Sequence, residues 1–221
     1  MNRRTELRHF EPRWPVALAI LAVIFLLAVL PERIRLFPIW VTYVGGFAVL
    51  IPIGAVGLMG ARARWLPVER TVTLLFFLVT GVSTLANLAN LISGIVGRSA
   101  EIGGLQLLAS SIAVWVTNVL MFSMLYWQID RGGPEARVND AGTRPDWLFP
   151  QEEAPAEDVP KGWQPMFIDY LYLGYSTATA FSTTDAMPLT PRAKLLMMLE
   201  CAIALVTLVV VASRAINILG N

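Results

Sequence analysis

Residues able to do chemistry are few in this chain, and their spacing limits what the chemistry can be. The only histidine, His9, sits in a polar N-terminal arm, and the only cysteine, Cys201, lies inside an apolar run. Neither a disulfide framework nor a cysteine-ligated zinc site can be built from them. Most metal chemistry, and most acid/base chemistry poised near neutral pH, goes with them. Asp169 and Asp185 could in principle share a proton as a catalytic pair. They stand at opposite ends of one short helical segment, however, with no glycine-rich aspartyl-protease signature around either. A membrane serine protease would need a histidine on another span, and there is none. The expectation is no enzyme, no catalytic residue, no metal and no cofactor.

What remains is a set of polar residues embedded in apolar sequence. Glu200 falls about 13 Å beyond Pro191 along a helix, a depth at which a charged group generally faces a bundle interior or watery cavity and finds a partner. The hydroxyls between Ser176 and Thr184 are the nearest candidates. Thr80, Ser83, Thr84, Asn87, Asn90 and Gly94 recur at helical spacing and form one polar stripe. Such asparagines act mostly as interhelical hydrogen-bonding residues, with Asn118 a plausible partner. Gly45, Gly46, Gly54, Gly57 and Gly60 would let a neighbouring backbone approach. Arg214 would reach toward headgroups, and Asp169 would cap the start of a helix.

These residues need elements to hold them, and composition says which. Of 221 residues, 56% are apolar and 15% charged, well short of the roughly 25% charged residues of an average soluble domain. Net charge is +1 and the basic residues are scattered, so no nucleic-acid footprint is present. A span needs roughly 17–25 apolar residues, and 14–30, 37–59, 71–96, 103–127 and 191–219 supply five. Arg3 and Arg4 precede the first, but no small-x-small cleavage site follows before Pro31, so it reads as an uncleaved span. The fold class expected is all-α, a polytopic transmembrane bundle with the lipid bilayer as its partner. It divides into an arm at 1–13, a three-span region at 14–102 and a further region at 103–221. Segment 128–165, rich in Pro, Gly, Asp and Glu, reads as an exposed loop, with Trp147, Leu148 and Phe149 docking at the membrane interface.

Residues 166–189 are too polar for a lipid-facing helix and too apolar for a loop. Non-helical backbone at membrane depth is tolerated only where protein or a watery cavity surrounds it, so a short re-entrant helix followed by an extended turn fits. The run TATAFSTTDAMPLTPRAK resembles the pore region of the potassium-channel superfamily, where a pore helix ends in Thr-Val-Gly-Tyr-Gly-Asp, then a Pro, then the inner helix. Overlaid, that pattern places a filter-like element at Thr179, Ala180, Phe181, Ser182, Thr183, Thr184 and Asp185, with Pro188 following. Segment 103–127 then resembles the outer helix and 191–219 the inner helix. The second half is also similar to an uncharacterised family of bacterial membrane proteins with a degenerate pore, including an aromatic-Pro element like Phe149-Pro150.

The resemblance implies a homo-oligomer, a tetramer first of all, in a bacterial cytoplasmic (inner) membrane, with monovalent cations as the species conducted. Ser182 and Thr184 stand where the family has glycines that let carbonyls face the ion. A poorly selective cation channel and a non-conducting structural or accessory protein that keeps the architecture are therefore both open. Orientation is open too. Arg3, Arg4, Arg8, Arg13, Arg62, Arg64 and Arg70 on one side outnumber Arg33, Arg35 and Arg98 on the other, which puts the N-terminus and the long loop in the cytoplasm. A potassium-channel-like pore would face outward. Either 167–189 crosses completely, one early segment does not span, or the analogy fails on orientation.

Overall fold

The computed structural model describes residues 11–32, 34–59, 66–96, 104–138, 144–180 and 185–219. Five long helices are joined in order: α1 (Trp14–Val29), α2 (Ile39–Met59), α3 (Leu66–Val96), α4 (Gly104–Ile129) and, after the polar segment and the shorter α7 (Phe167–Ala180), α8 (Pro191–Leu219). Three of them are long and apolar enough to cross a membrane, over Val68–Asn90, Leu105–Gly132 and Pro191–Ser213. The all-α reading therefore holds, with only a two-strand pairing added.

Local sequence explains the boundaries. Pro15 occupies the first turn of α1, where its missing N–H costs nothing. Leu30, which precedes Pro31, is extended at φ −61° and ψ 137° and ends the helix. At 16 residues α1 is about 24 Å long. Helix α4 stops in the run Arg131-Gly132-Gly133, where all three residues have positive φ. A side chain at Gly133 would also press on the carbonyl of Gln128, so the turn requires glycine there.

Helix α4 is the centre of the bundle and packs against α1, α3, α7 and α8. Two-thirds of its candidate span is buried within the chain, against one-third for α8. The outward faces of α3 and α8 are correspondingly apolar, with Leu75, Leu78, Val82, Leu195, Met198 and Val209 exposed. A surface of that kind suits hydrocarbon better than water.

The polar segment is more ordered than an excursion without structure. A 3-10 turn at Asp130–Gly132 leads into α5 (Pro134–Val138), β1 (Trp147–Leu148) and α6 (Pro150–Glu153). Strand β1 then pairs antiparallel with β2 (Met187–Pro188), Trp147 opposite Pro188 and Leu148 opposite Met187. Trp147 and Phe149 do not dock on a membrane surface. Trp147 is wholly buried, its ring 4.7 Å from Tyr126 and its Nε1 donating to Met197 Sδ at 3.3 Å. Phe149 packs edge-on against Trp163 and Tyr170. The interface preference of tryptophan gave way to a bundle end with room for the ring between α4 and α8.

Candidate pore-like site

Helix α7 occupies the groove between α4 and α8. Its 14 residues rise about 21 Å. Asp169 in its first turn accepts the backbone N–H of Met166 at 2.7 Å, the capping role expected of it. Both flanks of the segment return to one polar layer. At the start, Phe167 N–H donates to Glu11 Oε1 at 2.6 Å and the Tyr170 hydroxyl donates to Asp130 Oδ2 at 2.6 Å. At the end, β2 pairs with β1 and Leu189 N–H donates to Asp146 O at 2.8 Å. The described flanks of the segment therefore lie at the same end of the bundle.

That layer is built on two buried carboxylates. Asp130, fully buried, accepts Tyr170 and also the Asp146 N–H at 2.7 Å. Asp146, equally buried, accepts Thr190 Oγ1 at 2.5 Å and Arg192 Nε at 2.6 Å, which ties the start of α8 to the loop. Arg137 donates to the carbonyls of Trp127 and Asp130 at 2.9 and 3.1 Å, satisfying the last carbonyls of α4. Arg131 pairs with Glu152 on the rim. The N-terminal arm enters the same layer: Glu11 accepts Trp127 Nε1 at 2.9 Å, and Arg13 lies 3.6 Å from Glu69 at the start of α3. The arm, the start of α3, the end of α4 and the starts of α7 and α8 therefore share one end of the bundle.

Of these layer residues the sequence marks only Asp169, as a cap, and Arg13, by its charge. Asp130, Asp146 and Arg137 are ordinary loop residues by type. The usable signal was weak: Asp146 followed at once by the apolar Trp147-Leu148-Phe149, a run too hydrophobic for free loop.

Glu200 lies deeper, wholly buried between α4 and α8. Among the described residues its partner is Tyr126, whose hydroxyl donates to Glu200 Oε2 at 2.5 Å, rather than the hydroxyls of Ser176, Thr177 or Thr179. The reason is geometric. Tyr126 projects from the central helix into the α8 face, whereas α7 presents Gly174 there. A side chain on Gly174 would collide with Ser123 Oγ and come within 3.3 Å of the Val119 carbonyl and 3.2 Å of Glu200 Oε1. Among the described residues, Glu200 Oε1 and Thr177 Oγ1 are buried without a hydrogen-bond partner. Asn118 donates to the Glu200 carbonyl at 3.3 Å, so it belongs to this cluster rather than to the α3 stripe. The Cys201 thiol donates to Thr177 O at 3.3 Å.

The α3 asparagines hold backbone. Asn87 Oδ1 accepts Leu36 N–H at 3.1 Å and Asn90 Nδ2 donates to Ile34 O at 3.1 Å, so both fasten the α1–α2 connection. Their part is structural, though the partners are main-chain groups of a linker and not side chains of a helix.

Of the filter-like residues, Thr179 donates back to Tyr175 O at 2.8 Å and Ala180 closes α7, both exposed. Asp185 accepts the Tyr172 hydroxyl at 3.2 Å. Phe181, Ser182, Thr183 and Thr184 lie outside the described residues, as does the side chain of Arg214. Among the described residues no group of His, Cys, Asp and Glu is arranged to hold a metal ion. Comparison with protein-family models, curated proteins and solved structures gives no match for this chain.

Proposed function

We propose that the chain is a multi-pass protein of a bacterial cytoplasmic membrane, with five spans and one re-entrant helix, whose second half forms a pore-like module resembling that of potassium channels. Helix α4 takes the outer position, α7 the pore-helix position and α8 the inner position. The observation that carries this reading is the path of α7, a short helix seated between two long apolar helices with both flanks tied to one polar layer.

A single chain leaves one face of α7 open, with Ile168, Tyr172, Tyr175 and Thr179 exposed at helical spacing. Hydroxyls and tyrosines on an uncovered face at membrane depth favour several copies around a shared axis, four in this reading. In that ring the 179–185 segments converge and small monovalent cations are the species passed. With Ser182 and Thr184 in place of the filter glycines, conduction discriminates poorly between potassium and sodium. The chain acts without enzymatic chemistry.

Native mass spectrometry of the detergent-solubilised protein, followed by cation flux from liposomes, tests this. The expected result is a tetramer that passes potassium and sodium at similar rates, with flux reduced by Thr183→Trp. A stable monomer overturns the assembly. A tetramer that passes no cation overturns conduction and leaves a structural or accessory protein that keeps the architecture.

A further inference from the structure

Among α1, α2 and α3, two observations point to one ligand. The first is a cleft of about 420 Å³ between α1, α2 and α3, walled by Leu27, Phe37, Val44, Ala48 and Phe76, with Ser83 among its few polar lining residues. The second is Arg35 in the α1–α2 connection. Its Nε and NH1 are buried with no hydrogen-bond partner among the described residues. Its NH2 lies 3.7 Å from Glu32 Oε1, and that side chain is almost wholly exposed.

Arg35 does not itself line the cleft, but the chain connects the two. Leu36 and Ile34, on either side of Arg35, are bonded to Asn87 and Asn90, one and two turns beyond Ser83 on α3. Phe37, two residues on, already lines the cleft. A guanidinium is a rigid fork of donors suited to phosphate and carboxylate oxygens, and leaving such donors buried and unpaired is costly. Here the fork has no hydrogen-bond acceptor among the described residues, and it stands two residues from Phe37 on the wall of an apolar cleft.

We propose that this is a phospholipid site, with the lipid phosphate on Arg35 in place of the loosely held Glu32 and one acyl chain lying in the cleft along α2 and α3. Basic groups beside grooves between membrane helices take anionic headgroups in this way, and an acyl chain makes many dispersion contacts with apolar walls of this kind. The site is independent of any conduction by the second half of the chain.

Native mass spectrometry with added dioleoyl-phosphatidylglycerol tests it on the full chain. Wild type should retain a bound lipid that Ala48→Trp, which fills the cleft, loses by about tenfold. Arg35→Gln should weaken phosphatidylglycerol retention to a similar degree, while Val209→Trp on the outward face of α8 leaves retention unchanged. Unmodified protein guards against misfolding of the variants: a phospholipid carrying a mid-chain photolabel should label α2 and α3 along the cleft ahead of other outward faces. Equal retention by wild type and Ala48→Trp, or label spread evenly over all outward faces, overturns the proposal. So does a change of subunit number in Ala48→Trp at unchanged lipid retention, which would assign the cleft to a second copy.

Discussion

The first three helices and the region from α4 onward are held together by different forces. Helices α1 to α3 meet through side chains such as Val16, Ile20, Val23, Val49, Ile53 and Phe76, with polar fastening from the Arg13–Glu69 pair at one end and from Asn87 and Asn90 bonded to the α1–α2 linker at the other. The second half carries buried carboxylates at Asp130, Asp146 and Glu200, each with a specific donor. Apolar contacts are non-directional and tolerate sliding, whereas buried hydrogen-bonded charges fix one arrangement, at the risk of heavy loss when a partner is removed. Specific polar geometry is thus denser around α7 and the start of α8, and the first three helices rely more on apolar contact.

If that contrast is right, the largest loss should come from Asp130→Ala. It strands the Tyr170 hydroxyl and the Asp146 N–H and removes the charge beside Arg131. A destabilisation of about 3–5 kcal/mol is expected, read as loss of monodisperse protein or a steep drop in thermal midpoint in detergent. Tyr126→Phe should come next, at about 1.5–3 kcal/mol, because Glu200 loses its donor in a buried site. Glu200→Gln, which keeps an acceptor for Tyr126, should cost less than Tyr126→Phe in the same measurement. The reverse order would mean that Glu200 has a stronger partner than the tyrosine.

The glycines sharpen the contrast. Gly174→Ala should destabilise by about 1–3 kcal/mol through overpacking against Ser123 and Val119. Gly54→Ala on α2, where an added side chain meets nothing within 4 Å, should be neutral or stabilising by about 0.5–1 kcal/mol. Equal effects at the two positions would erase the distinction between a close-packed α7 site and a permissive N-terminal region. The mildest destabilisation belongs to Asn90→Ala, about 0.6–1.7 kcal/mol, since only one bond to the Ile34 carbonyl is lost. All three comparisons use thermal unfolding followed in one detergent.

What the sequence made legible follows from what a linear pattern can encode. Long apolar runs, with Pro15, Pro31, Pro38 and Pro191 beside their ends, marked every long helix to within a few residues, the beginning of α3 excepted. Its Leu-Pro-Val-Glu-Arg opening is too polar to count as a span, yet it is helical because Arg13 and the polar layer accommodate Glu69. The mixed character of 166–189 marked α7 as an element needing shelter. The order within 128–165 was not legible, because strand pairing of Trp147 with Pro188 and burial of Asp130 depend on contacts between residues far apart in sequence. Glu200 stood out by its depth alone, while Tyr126 did not, since one tyrosine in a helix rich in aromatics carries no mark of its partner. Glu11 and Arg13 were assigned to a polar arm, and nothing in their spacing indicates that they reach Trp127 and the start of α7.

The path of α7 is the claim on which the functional reading stands, and cysteine accessibility tests it most directly. With Cys201 replaced by Ala, single cysteines would be placed at Lys161 before α7 and at Leu189 after β2, both accessible positions, and treated with a membrane-impermeant maleimide on intact cells and on inverted vesicles. A re-entrant α7 requires the two sites to label from the same face, and that face, outside or inside, also fixes the orientation of the loop. Labelling of Lys161→Cys and Leu189→Cys from opposite faces would mean that α7 and its turn cross the membrane completely, and the pore-like reading would be wrong.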